Sequence, residues 1–159
     1  MALRKAPTSS SGILTIEGEC DRPTSFSFHD LASAHKDYQV PDVSKVDQRL
    51  EGTAVRLRTL LDQVGPSWHS KWLTVESEDG KYSACLPLDE TRATALVIYG
   101  KKKKPLDRDE GGPVRFVIPF HPDKCTKVKG ATRMVISEAP GKDTRPSNAA
   151  EHKKVHEND

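Results

Sequence analysis

Between Ile13 and Glu138 the apolar residues come in short runs, each closed within a few positions by Gly, Pro or Asp. A chain punctuated this often cannot build long helices, so its core must be assembled from short strands and a few short helices. Ile13 to Gly18 reads as a strand, and Cys20-Asp21-Arg22-Pro23 as the turn after it. Ser27-Phe28-His29-Asp30 has the S-x-x-D form of a helix start. Asp37 to Val46 is expected to be extended, with Pro41 keeping it at an edge or in a loop. Leu57, Leu60, Leu61 and Val64 recur at helical spacing, and Gly65-Pro66 stops them. Trp72 with Thr74 to Ser77, and then Tyr82 to Leu86, predict two strands around the Asp79-Gly80 turn. Ala95 to Tyr99, Val114 to Ile118 after the Gly111-Gly112-Pro113 breaker, and Val128 to Ser137 supply the remaining core strands. The pattern predicts a single α+β domain with mixed sheets, or a barrel-like arrangement, and few short helices.

Composition sets the outer limits. With 159 residues, 35% hydrophobic and 30% charged, the chain can bury one core of moderate size. The expected organisation is a disordered segment over residues 1–11, the domain over 12–138, and a charged tail over 139–159, mostly disordered or docked. No apolar run is long enough to span a membrane, and the first twelve residues lack the apolar stretch of a secretory signal. A net charge of +2 gives no reason to expect nucleic-acid binding. The cysteines, Cys20, Cys85 and Cys125, are odd in number and far apart, which disfavours a disulfide scaffold and fits a reducing cytoplasm.

The order of the motifs is informative. Leu14-Thr15-Ile16-Glu17-Gly18 is followed by Arg22-Pro23, Phe26 to Leu31, Gly52-Thr53-Ala54-Val55-Arg56-Leu57 and Leu60-Leu61. Then come Leu73 to Ser77, Asp79-Gly80, Leu86-Pro87-Leu88, Pro105-Leu106, Gly111 to Arg115, Pro119, Val128-Lys129 and Thr132-Arg133. This ordered set resembles the oxidoreductase molybdopterin-binding domain, the sulfite-oxidase fold, over residues 12 to 138. The resemblance implies molybdopterin as cofactor, with molybdenum held by the pterin dithiolene and one cysteine thiolate, a soft ligand suited to it. It places that cysteine between the first helix and the G-x-x-L-x-x-L-L helix. Here no cysteine occurs from Asp21 to Ala84, and the matching stretch is Ser44-Lys45-Val46-Asp47-Gln48-Arg49-Leu50-Glu51. The family's aromatic after Val-Lys is also missing, because Gly130 follows Val128-Lys129.

Lys127, Lys129 and Arg133 match or adjoin the family positions near the phosphate of the pterin, and Arg115 belongs to the same cleft by resemblance. Cations there would neutralise a phosphate, with Arg able to bind two oxygens. Period-two alternation explains Lys127-Val128-Lys129 equally well as an exposed strand face. Cys85, on a strand, reads as a buried small hydrophobe, and Cys20 likewise. His121 and Cys125 could supply two metal ligands, but no zinc spacing connects them to His29, His35, His152 or His156, so the metal ligands are unknown. The run Lys101 to Lys104 reads as a solvated turn offset by Asp107, Asp109 and Glu110, and His69 as solvated. No catalytic constellation of another class occurs. The reading is therefore a molybdopterin-family oxidoreductase domain, degenerate for want of the cysteine, with no catalytic residue assigned. The alternative is a non-catalytic module on the same fold that binds a protein partner through its tail or its lysine loop. The cleft is expected to be shallow and open, and electropositive from Arg115, Lys129 or Arg133.

Overall fold

The computed structural model describes residues 12–123 and 126–145. Among these described residues eleven strands form two sheets that stay open, with no closed barrel. The first sheet contains β1 (Gly12–Gly18), β2 (Thr24–Ser27), β5 (Trp72–Glu76), β6 (Ser83–Pro87) and β11 (Arg133–Ser137), in the order β2-β1-β11-β5-β6. The second runs β10-β9-β7-β4-β3, built from β3 (Gln39–Val40), β4 (Thr53–Arg56), β7 (Leu96–Lys101), β9 (Arg115–Val117) and β10 (Val128–Lys129). The two-residue strand β8 (Lys104–Pro105) pairs back on β7. Neighbours are antiparallel except β1 and β11, which run parallel with Gly18 opposite Ile136.

Strand alternation decides what each face does. Leu14 and Ile16 of β1, Leu73 and Val75 of β5, and Met134 and Ile136 of β11 point into the main core. Val97 and Phe116 meet them from the second sheet. The intervening residues of that second sheet, Ala54, Leu96, Ile98 and Val117, build a smaller cluster on its other face, covered by Val40, Val43, Leu50 and Leu106. The second sheet is thus buried on both sides, and the cover on its outer side is the loop before β4.

Three short helices close the remaining gaps. In α1 (Phe28–Ala32) the Ser27 hydroxyl accepts the Asp30 N–H and the Asp30 carboxylate accepts the Ser27 N–H, a reciprocal cap. In α2 (Leu57–Val64) all four residues at helical spacing are buried, and Gly65, at φ +67°, ends the helix by donating its N–H to the Leu61 carbonyl. The third, α3 (Leu88–Thr94), is not anticipated by apolar periodicity. Its first turn carries Asp89 and Glu90 and its last turn Arg92, and Leu88 and Thr91 are buried. Among the described residues no helix is long and apolar enough to cross a membrane.

The stretch from Asp37 to Val46 departs from the expected extended form. Single 3-10 turns at Lys36–Tyr38 and Val43–Lys45 flank β3. Side chains drive both turns: His35 Nδ1 accepts the Asp37 N–H at 3.1 Å, and the Asp42 carboxylate accepts the Ser44 N–H at 3.0 Å. Of the expected tail, residues 139–145 pack on the first sheet. Residues 1–11 and 146–159 lie outside the described residues.

Candidate functional site

The loop from Pro41 to Gly52 is drawn over the second sheet by Val43 and Leu50, both buried. At its tip Asp47 is 3% exposed, and its carboxylate is fully occupied. One oxygen accepts the main-chain N–H and the Nε of Arg49, at 3.1 and 3.0 Å. The other accepts Arg49 Nη2 at 2.8 Å and the Phe120 N–H at 3.4 Å. The Arg49 guanidinium then lies 5.9 Å from the centroid of the Phe120 ring. Phe120 sits at φ +62°, which a side chain disfavours, and the bond from its N–H to Asp47 helps hold it there.

These hydrogen bonds, led by those from the Arg49 side chain, keep the Asp47 carboxyl far below the usual carboxylate range against the opposing effect of burial. A carboxyl depressed by folding stabilises the fold above its unfolded value, near 4, and loses that contribution as the pH falls toward the folded value. Asp42, whose hydroxyl and N–H donors come from Ser44, and Asp79, bonded by Ser77, are shifted the same way. The urea midpoint should therefore be flat near neutrality and fall below about pH 4. Asp47→Asn should lower the midpoint at pH 7 and make the acid slope shallower. A slope unchanged by Asp47→Asn would show that Asp47 is not a source of it.

Two open cavities share the walls of this loop. One, of about 600 Å³, is lined by Pro41, Ser44, Gln48 to Thr53, Lys101 and Lys102 among others. The other, of about 550 Å³, lies between Ser44 to Arg49 and Phe120. The cations on the first are Arg49, Lys101 and Lys102. Arg115, Lys129 and Arg133, the expected source of positive charge, line neither. Lys101 is tied to Glu51 at 3.1 Å and to Glu110 at 3.5 Å. Lys102 and Lys103 form the tip of the β7–β8 hairpin in left-handed conformation.

The predicted cationic residues separate into two groups. Arg115 and Lys129 are direct cross-strand partners on β9 and β10, on the face that carries Ile98 and Val117. Lys127 leads into β10 and is half-buried. The Arg115 stem runs so close under Gly111 that a Cβ there would lie 2.5 Å from Arg115 Cδ. Its guanidinium has no hydrogen-bond or ion-pair partner among the described residues; burial pushes it below its ordinary value, opposed by the charge of Glu51. Arg133 belongs elsewhere. It lies on the outer face of the first sheet, its Nε on Glu17 at 2.7 Å and its Nη1 on Glu76 at 3.0 Å.

No thiol reaches the loop among the described residues. Cys85 lies on the first sheet, 4% exposed, its Sγ accepting the Gly141 N–H at 3.3 Å. Cys20 is half-buried in a bridge with Pro66, and Cys125 lies outside the described residues, as do His152 and His156. His121 Nδ1 accepts the Asp123 N–H. His29 faces Ser33 Oγ, His35 pairs with Asp37, and His69 lies 3.3 Å from Glu19. Among the described residues no three His, Cys, Asp or Glu side chains are grouped to hold a metal.

The family model described as the oxidoreductase molybdopterin binding domain matches residues 49–144. The chain belongs to this family. Among solved structures, the crystal structure of the sulfane dehydrogenase SoxCD from Paracoccus pantotrophus superimposes with a TM-score of 0.62 at 21% identity. The match covers 80% of this chain and 38% of that one, so the domain spans well under half of the larger protein. The likeness shows the sulfite-oxidase-type α+β fold. No curated protein sequence matches.

The cofactor of the family can be tested against these residues. Between α1 and α2, where the resemblance places the thiolate ligand, the chain offers Asp37, Asp42, Asp47, Glu51 and His35 and no sulfur. Asp47, the most buried of the carboxylates, has both oxygens committed to Arg49 and Phe120. The described residues therefore do not fit a cysteine-ligated molybdenum. The Asp47–Arg49–Phe120 arrangement was beyond sequence reasoning. Asp and Arg two positions apart are commonplace, and Phe120 is 73 residues away.

Proposed function

We propose that this protein is a degenerate member of the molybdopterin-binding oxidoreductase family that does not form a cysteinyl-molybdenum centre. The observation that carries this reading is the closure of the loop by Asp47. In this reading Asp47 serves as an internal lock of the loop and not as a metal ligand, since both its oxygens are hard donors already engaged by Arg49 and Phe120. Arg115, without a hydrogen-bond or ion-pair partner among the described residues and beside Lys129, supports a remaining capacity for an anionic group, of which a pterin phosphate is the family's example. Free Cys20 and Cys85 suit a reducing compartment such as the cytoplasm.

The test is to purify the full chain from a host that makes molybdopterin, and to measure molybdenum by mass spectrometry and pterin by fluorescence after oxidation. Molybdenum well below stoichiometric is the expected result. Near-stoichiometric molybdenum with redox activity would overturn the reading, and Cys125 would then be the thiol to examine. Arg115→Met is the companion variant. A half-buried cation without a partner among the described residues costs stability, so Met should raise the unfolding free energy by about 1 kcal/mol while abolishing any retention of pterin or phosphate. Lower stability in Arg115→Met would show that the guanidinium serves the fold instead. A second reading, a non-catalytic interaction module, is favoured by Trp68 and Phe120, 95% and 67% exposed. Protein free of both molybdenum and pterin would point to it.

A further inference from the structure

The outer face of the first sheet carries a thiol that strand alternation alone would leave in water. Ala84 and Leu86 of β6 point into the core, so Ser83 and Cys85 point outward, and Cys85 stands directly opposite Thr74 of β5. Both are nevertheless buried, because residues 139–145 cross over them. This strap is held by polar contacts. Thr144 donates its N–H to the Ser83 carbonyl at 2.9 Å, and its hydroxyl accepts the Ser83 N–H at 3.0 Å. The Ser83 hydroxyl donates to the Lys142 carbonyl at 2.9 Å. Arg145 is the clasp: Nη2 donates to the Cys85 carbonyl at 3.0 Å, and the guanidinium pairs with Asp143 and Asp123. The strap's own residues are exposed or half-exposed, so burial of apolar side chains adds little to hold it.

One group works against the closed form. Thr74 Oγ1 is buried with no hydrogen-bond partner among the described residues, and Gly141 lies directly on it: a Cβ on Gly141 would be 2.4 Å from that oxygen. Opening the strap returns water to the Thr74 hydroxyl, whereas closing it leaves the hydroxyl unsatisfied.

We propose that residues 139–145 are a releasable latch that gates access to the Cys85 thiol, closed by the Arg145 clasp and biased toward opening by the sealed Thr74 hydroxyl. The device controls whether a small thiol-reactive electrophile can reach Cys85 without unfolding the domain. Its test is native-state labelling of the full chain with iodoacetamide, followed peptide by peptide so that Cys20 and Cys125 do not interfere. Arg145→Ala should raise the Cys85 rate about tenfold or more, since charge-assisted bonds are lost from the closed form only. Gly141→Ala should act in the same direction by lifting the strap from Thr74. Thr74→Val, which removes the unsatisfied hydroxyl at nearly constant shape, should slow labelling several-fold. In low urea the Cys85 rate should hardly change, as expected of a local opening. A Cys85 rate that follows global unfolding in urea, or that is indifferent to both Arg145→Ala and Gly141→Ala, would overturn the proposal. A Thr74→Val rate equal to or above the parent's would remove Thr74 as the source of the bias.

Discussion

Phe116→Ala is expected to destabilise the domain by about 3–5 kcal/mol, a large part of the total stability of a chain this size. Phe116 is fully buried and is among the largest side chains in the main core. It stands opposite Val128 of β10 and Val97 of β7, so its ring fills the space between three strands and the first sheet. Alanine leaves a cavity that strands fixed on both edges cannot collapse into. The melting temperature should fall by roughly 10–20 °C. The effect should also reach the candidate site, because Arg115 precedes Phe116 and occupies the opposite face of the same strand. A loss below about 1 kcal/mol would mean that Phe116 is not packed as described.

Gly18→Ala is the second large effect, and its origin is the main chain. Gly18 ends β1 at φ +106°, a conformation that side chains rarely adopt. An added Cβ would lie 2.3 Å from the Ile136 carbonyl oxygen and 2.9 Å from the Ile136 nitrogen. Neither atom can rotate away, so the methyl group fits only if β1 and β11 separate. The expected loss is about 3 kcal/mol or more, read from the urea midpoint. Gly80→Ala is the informative control. Gly80 is also left-handed, at φ +73°, but a Cβ there meets nothing within 4 Å. It should cost about 1–2 kcal/mol, the conformational penalty alone. Equal losses at the two positions would mean that contact with β11 does not matter.

What could be read in advance follows the range of the interactions concerned. The cap at Ser27 and Asp30 spans four residues, and the Leu57 to Val64 stripe with Gly65 spans nine, so both are legible as local patterns. The strands around Asp79-Gly80 are legible for the same reason. Helix α3 escaped because it offers only Leu88 and Thr91 to the interior, too few to produce a periodic stripe. The turns at Lys36 and Val43 escaped because local hydrogen bonds accepted by the His35 and Asp42 side chains overrode an extended-looking composition.

At the candidate site the sequence shows that no cysteine lies between Asp21 and Ala84, and it places Arg115 and Lys129 as cations. It could not reveal that Asp47 closes on Phe120, nor that Arg133 is engaged by Glu17, 116 residues away. It likewise could not show that Gly141 to Arg145 return to β6, since Gly, Lys, Asp and Thr in that order look the same whether docked or solvated.

The parallel pairing of β1 with β11 has a consequence for how the molecule comes into being. Of the described strands, β1 is made first and lies between β2 and β11, which is made last, and the partners Glu17 and Arg133 are separated by 116 residues. On a ribosome adding 5–20 residues each second, β1 waits roughly 6 to 23 s for its neighbour to be synthesised. Until then the β2–β1 hairpin offers a bare edge carrying Leu14 and Ile16, and the two halves of the main core cannot meet. Folding of the first sheet should therefore wait for β11 and be limited by closure of this long loop. Nascent chains stalled before Arg133 emerges should be protease-sensitive throughout, however complete the second sheet already is.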